Sequence, residues 1–237
     1  MIKIVFFDVD GTLVDHSPAG GSKIPESTLL SLEALHQKGV KLFVATGRIP
    51  SMLSFLEEFF PFDGFVTLNG QLALERDRAV IHRMAHDPED IRKLVDIVHE
   101  EHFPCLIIEE HECFCVEPSE SIREHFQWLE LPVPPLYDLA RLERHDVLQF
   151  LAYIPPEDCR LLDPLPHIEI TSAGGEIFDV IPKGGGKEVG IAAVAAHYGF
   201  RRDEVMVFGD GDNDARMMAW AGTGVALGNG TQLTKQA

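Results

Sequence analysis

Residues Ile2-Lys3-Ile4-Val5-Phe6-Phe7-Asp8-Val9-Asp10-Gly11-Thr12 set a run of apolar, β-favouring side chains directly before two carboxylates and a glycine. The run does not alternate polar with apolar, so Ile2–Phe7 reads as a strand covered on both faces, the habit of a parallel sheet. The same grammar recurs twice. Val40–Ala45 runs into Thr46-Gly47-Arg48, and Val205–Phe208 runs into Gly209-Asp210-Gly211-Asp212-Asn213-Asp214. Ligands bind outside the carboxyl ends of the strands in an open parallel sheet, so three clusters distant in sequence are expected to meet at one site.

Between these strands the spacing predicts helices. Glu26–Lys38 carries Leu29, Leu32 and Leu35 before Gly39, a natural C-terminal stop, and Pro50–Phe59 precedes an apolar Phe65–Leu68 strand. Alternation of strand and helix resumes with a helix over Glu188–His197, the Val205–Phe208 strand, a helix over Arg216–Trp220 and a short strand over Gly224–Leu227. The class is therefore α/β, a Rossmann-like parallel sheet. The stretch between is different. Glu75–Asp90 is charge-dense and reads as a hinge. A helix over Pro88–His102 and strands over Cys105–Ile108, Cys113–Val116, Val147–Ile154, His167–Thr171 and Ile177–Ile181 suggest a small α+β module, with a further helix over Ser119–Leu129. The expected division is a core of residues 1–80 and 183–237 interrupted by an inserted α+β domain of residues 81–182.

Composition narrows the partners. The chain has 237 residues and a formal net charge of −18. That surface repels nucleic acid and anionic lipid, and a phosphorylated ligand would need local cations. There is no apolar run long enough for a membrane span, and Asp8 interrupts any signal-peptide core, so a cytoplasmic protein is expected. The four cysteines lack CxxC spacing and read as reduced thiols. The loop from Asp15 to Lys23 is rich in Gly, Ser and Pro.

Asp8, Asp10 and Asp210 would crowd carboxylates into one small volume, which a hard cation relieves. Mg2+ suits oxygen ligands and phosphate. The Thr46 hydroxyl and the Gly47 N–H can donate to a phosphoryl group, and a lysine would complete the charge balance.

These residues resemble the haloacid dehalogenase-like phosphatases. Asp8-Val9-Asp10-Gly11-Thr12 is similar to the DxDGT motif of that family. Thr46-Gly47-Arg48, Lys187 and Gly209–Asp214 resemble its later motifs in order, and Asn69-Gly70 with Gly224–Asn229 looks like the Cof-like branch. The resemblance implies that Asp8 is the nucleophile and forms an aspartyl-phosphate. It implies that Asp10 is the acid and base, and that Asp8, the Asp10 carbonyl and Asp210 hold Mg2+. Thr46, Gly47, Lys187 and Asn213 would hold phosphoryl oxygens, and Asp214 would orient Lys187 or a metal-bound water. Of the two lysines in Pro182–Lys187, Lys187 matches the family spacing and directly precedes a helix, where anions bind readily. Lys183 is left to face solvent or reach substrate. The Gly-Lys pair is no Walker A loop, because Ile181 and Glu188 stand where Gly and Ser or Thr are needed.

The long insert resembles a type 2 cap that closes over the phosphate and reads the leaving group. The implied activity is Mg2+-dependent hydrolysis of a small phosphorylated metabolite, foremost a sugar phosphate. Alternatives are FMN or pyridoxal phosphate as substrate, a phosphotransferase or mutase, and a non-catalytic phosphate-binding protein, against which the complete set of chemical groups argues. Arg48 is open between a surface role and phosphate contact. Asn69-Gly70 reads foremost as a turn, Asp212 as a solvent-facing acid, Glu109–Glu112 as an exposed turn, and Trp128 and Tyr137 as core. The pairs His82/His86 and His99/His102 have helical spacing but lack the further ligands of a zinc site. Relatives of this kind continue past the Gly228-Asn229-Gly230 segment with a strand and a closing helix, whereas this sequence reaches only Ala237.

Overall fold

The structure is a computed structural model and describes residues 1–14, 23–117, 119–129, 131–142 and 144–237. Of the loop expected over Asp15–Lys23, only Lys23 falls among them. In chain order the elements are β1 (Ile4–Phe7), α1 (Glu26–Gln37), β2 (Lys41–Ala45), α2 (Ser54–Phe59), β3 (Gly64–Thr67), β4 (Leu72–Glu75) and β5 (Val80–Arg83). Then come α3 (Pro88–Glu101), β6 (Cys105–Ile108), β7 (Cys113–Cys115), α4 (Glu120–Trp128), β8 (Gln149–Tyr153), β9 (Ile168–Gly174) and β10 (Ile177–Pro182). The last are α5 (Lys187–His197), β11 (Val205–Gly209), α6 (Ala215–Trp220), β12 (Thr223–Ala226) and α7 (Gln232–Gln236). They form two compact units, Met1–Arg83 with Gly186–Ala237, and Met84–Gly185. None of the described helices is long and apolar enough to cross a membrane.

The first unit is built on a seven-stranded sheet in the order β12-β11-β1-β2-β3-β4-β5. The first five are mutually parallel; at one edge β4 runs antiparallel to β3, and β5 antiparallel to β4. The period of two along β1 explains why its apolar run is unbroken. Ile4 and Phe6 pack on one face with Ile191 and Val194 of α5, while Val5 and Phe7 pack on the other with Leu32 of α1 and Leu56 of α2. Both faces are covered, so no position in the strand tolerates water.

Two expectations are corrected here. Residues 75–90 are not one polar hinge, because 72–83 form a hairpin whose turn holds Arg78 at φ 72°. Its outer strand escaped notice because it lies at the sheet edge: Val80 is 48% exposed and its neighbours are half-buried or exposed. The helix expected over Pro50–Phe59 is divided into a single turn, Pro50–Met52, and α2.

The second unit is an antiparallel five-stranded sheet, β7-β6-β8-β10-β9. Helix α3 begins at Asp87, whose carboxylate accepts from the Glu89 N–H at 2.8 Å, and ends at His102 in the left-handed region. Its Ile91, Leu94 and Val98 cover Ile107, Phe150, Ala152 and Val180 of the sheet. Tyr137 packs at the margin of this cluster, but Trp128 is 74% exposed, contrary to its reading as core. Glu109–Glu112 forms the expected turn between β6 and β7, with His111 and Glu112 exposed, but Glu109 itself is buried. Arg141 donates to it through Nε at 3.0 Å and Nη2 at 2.7 Å while lying over the rings of Phe114 and Tyr137. A distant arginine reached this acid, which local sequence does not reveal. All four cysteines are free thiols.

Candidate active site

The site lies in the first unit, where β1, β2, β3 and β11 stop. Asp8 follows β1 directly, and its N–H donates to the Phe208 carbonyl at 2.9 Å, tying the β1 and β11 exits together. Lys187 is the first residue of α5 and is 1% exposed. Its Nζ donates to Asp8 Oδ1 at 2.7 Å and to Asp214 Oδ1 at 2.6 Å. The helix start is held there by close packing. A Cβ on Gly70 would sit 2.0 Å from the Gly186 carbonyl oxygen, so the turn after β3 touches the backbone just before Lys187 only because residue 70 is glycine. Lys183, by contrast, is exposed.

Asp214 is fully buried, and each of its oxygens has a task. Oδ1 takes Lys187, and Oδ2 accepts the N–H groups of Asp210 and Gly211, both at 2.9 Å. It therefore shapes the Gly209–Asp214 loop and aims the lysine. Asp210 is steadied from the other side: Thr12 Oγ1 donates to Oδ1 at 2.7 Å, and Asn229 Nδ2 donates to Oδ2 at 3.0 Å and to the Gly11 carbonyl at 3.0 Å. Gly11 has φ 84°, and a Cβ there would lie 2.2 Å from Asp210 Oδ2, so the two loops approach only through glycine. The chain after β12 completes the support. The Thr231 N–H donates to the Asp210 carbonyl at 2.9 Å, and the Thr234 hydroxyl donates to the Gly211 carbonyl.

Electrostatics follow from burial. Burial raises the Asp8 pKa to about 7, an effect that Lys187 opposes and that Asp214 and Asp10 reinforce. Burial works against the Lys187 ammonium, but Asp8 and Asp214 outweigh it and raise its pKa. One buried cation thus serves two buried carboxylates, with Asp210 alongside. Asp8, Asp210 and Asp214 each offer an oxygen within 4.8 Å of the others. Because Asp214 is committed to Lys187 and the loop amides, the groups suited to a divalent cation are Asp8 and Asp210. An all-oxygen set with excess negative charge fits Mg2+.

Thr46 is buried after β2, and its Oγ1 accepts the Arg48 N–H at 3.1 Å, a bond that does not use its own proton. Gly47 faces Asn69 closely enough that a Cβ would lie 3.0 Å from Asn69 Oδ1. That same oxygen accepts from Asn213 Nδ2 at 3.0 Å. Asn69 is 2% exposed and left-handed at φ 51°, and its carbonyl and that of Leu68 accept from the buried Gln71 amide, each at 3.0 Å. So Thr46, Gly47, Asn213 and Lys187 gather around the strand ends with Asn69 as the tie. Asp212 is exposed, as expected of a loop acid. Asp10 stands apart, since its carboxylate is bonded to Arg48 through Nε at 2.8 Å and Nη2 at 2.6 Å. Sequence reasoning read Asn69-Gly70 as a turn and gave no part to Thr12, Gln71, Asn229, Thr231 or Thr234. The glycine-flanked Asn229 was the only visible signal.

The family model for haloacid dehalogenase-like hydrolases matches residues 5–237. The chain is similar to the solved subclass IIB sugar phosphatase BT4131, at 33% identity, covering 99% of this chain and 90% of that one with a TM-score of 0.87. It is also similar to the haloalkanoate-superfamily phosphatase BT1666 from Bacteroides thetaiotaomicron, at 31% identity, covering 100% of this chain and 87% of that one with a TM-score of 0.89. An HMP-PP phosphatase from Enterobacter sp. (strain 638) is 27% identical over 97% of this chain and 85% of its own length.

Proposed function

The chain belongs to the haloacid dehalogenase-like hydrolases and is a phosphatase of that family, and from this premise we propose that it hydrolyses a small phosphomonoester, foremost a sugar phosphate, through a phosphoryl group carried on Asp8. The observation that carries the reading is the Asp8–Lys187–Asp214 chain. Lys187 holds Oδ1, and among the described residues Asp8 Oδ2 accepts no hydrogen bond, which leaves it as the attacking atom. A carboxylate with a pKa near neutral is a better nucleophile than an ordinary aspartate, provided that it is ionised.

In the first step Oδ2 bonds to phosphorus as the bond to the leaving oxygen breaks, and Asp10 supplies that oxygen with a proton. In the second, water attacks the phosphorus, Asp10 accepts its proton, and the bond to Asp8 breaks to release phosphate. Thr46, the Gly47 N–H, Lys187 and Asn213 hold the phosphoryl oxygens throughout. Asp8, Asp210 and the Asp10 carbonyl would hold Mg2+, which supplies positive charge to the phosphoryl group as it transfers. Asp214 fixes Lys187. The Met84–Gly185 unit is the proposed cap, reading the leaving group and excluding water. The sugar-phosphate preference is supported by the likeness to BT4131, and a second reading, a substrate like that of the HMP-PP phosphatase, by the likeness to that relative.

The test is phosphate release from sugar phosphates, nucleotides, FMN and pyridoxal phosphate, with Mg2+ or EDTA, comparing wild type with Asp8→Asn. Metal-dependent release abolished by the substitution is expected. Equal release by both proteins would remove Asp8 from the nucleophile role.

A further inference from the structure

Arg48 has no part in the scheme above, yet it makes the most complete ion pair at the site. Its Nε and Nη2 donate to separate oxygens of Asp10, at 2.8 Å and 2.6 Å. Neither Asp10 oxygen is then placed to serve a leaving group or a water. The arginine main chain is pinned on both sides: its N–H donates to Thr46 Oγ1 at 3.1 Å, and its carbonyl accepts the Leu68 N–H at 3.2 Å. Its guanidinium lies over the Phe55 ring, 5.3 Å from the centroid. The Asp10 side chain is 44% exposed, whereas that of Arg48 is 19% exposed.

We propose that Arg48 is a phosphate-operated latch on Asp10: it holds the carboxylate while the site is empty and releases it when a phosphoryl dianion takes the guanidinium. The proposal rests on the phosphatase reading. Its physical basis is competition between two anions for one fork. A phosphoryl group offers the guanidinium the same bidentate geometry as a carboxylate and carries more charge. The phosphoryl position beside Thr46 and Gly47 is one residue from Arg48 along the chain, so the exchange needs no movement of the Arg48 backbone. The phosphoryl group on Asp8 then keeps the latch open for the water step, and departure of free phosphate closes it. Arg48 thus binds the phosphoryl group and, by letting go of Asp10, sets when the acid and base is available.

The test is a double-mutant cycle on the full-length chain, read as inorganic phosphate affinity by calorimetry in saturating Mg2+. Arg48→Met is expected to weaken phosphate binding about tenfold or more, the effect of losing a charge-assisted pair. Asp10→Asn, which removes the competing anion, is expected to tighten binding severalfold in the presence of Arg48 and to give no gain in the Arg48→Met background. An equal gain in both backgrounds would mean simple charge repulsion and overturn the latch. So would unchanged affinity in Arg48→Met, or no phosphate binding by wild type. Arg48→Lys keeps the charge with one donor group and is expected to fall between, which separates the latch from a folding defect. Turnover separates the two proposals: a wild type that hydrolyses no phosphomonoester refutes the phosphatase reading, whereas a failed cycle in a working phosphatase refutes the latch alone.

Discussion

Replacing Asp8 by asparagine should change the protein's stability in a pH-dependent way, and the sign follows from burial. The Asp8 carboxyl is raised from 3.8 to about 7 chiefly because burial penalises its charge. A group whose folded pKa lies above its unfolded value contributes stability that is complete below the unfolded pKa and is lost as pH rises through the folded one. Integrating between about pH 5 and about pH 8, Asp8 withdraws about 2 to 3 kcal/mol. Asparagine has no proton to lose. In metal-free buffer, Asp8→Asn should therefore gain about that amount on wild type as pH climbs over this range. The difference between the two proteins matters, because it cancels every group whose titration the substitution leaves unchanged. Urea midpoints read by Trp220 fluorescence report the unit containing Asp8, since Trp220 packs on its core, and a Trp128→Phe background removes the other signal. Mg2+ added at about pH 8 should reverse the gain by stabilising the wild-type carboxylate. A wild-type-to-variant difference that stays constant with pH would refute the account of Asp8 as a buried carboxyl short of positive charge.

Three further perturbations probe the supports. Lys187→Met leaves Asp8 and Asp214 buried without their cation, so it should cost about 3 to 5 kcal/mol and abolish phosphate release, with urea unfolding and turnover as readouts. Asn229→Ala removes the donor to Asp210 Oδ2 and the Gly11 carbonyl, so the Mg2+ concentration for half-maximal activity should rise about tenfold or more, while saturating metal restores turnover. Gly190→Ala would put a methyl 2.6 Å from Val66 Cγ1 and 2.9 Å from the Gly70 carbonyl oxygen. It should destabilise the first unit by about 1 to 3 kcal/mol and lower activity by displacing Lys187, both read on the purified variant.

The parallel sheet was legible because its strands are buried on both faces, and burial of that kind writes an unbroken apolar run such as Ile4–Phe7 into the chain itself. Asp8 and Asp210 were legible for a related reason: each stands where such a run ends, and three polar clusters at three strand ends point to one site. Lys187 and Asp214 were named from the resemblance in motif order, and Lys187 also from its place before a helix. The edge hairpin was not legible, because Val80–Arg83 is exposed enough to look like loop. Nor was the burial of Glu109, which depends on Arg141, 32 residues away.

What the sequence by itself determined was which chemical groups stand at the strand ends, since residue type, apolar context and local order suffice to place them there. Only the tertiary structure decided how those groups are held. Asn229 reaches Asp210 across 19 residues, Asn213 reaches Asn69 across 144, and Arg48 reaches Asp10 across 38. Such bonds join side chains whose local sequence favours no particular partner. Their pairing is set by which strand ends the sheet order brings together, and that order exists only once the chain has folded.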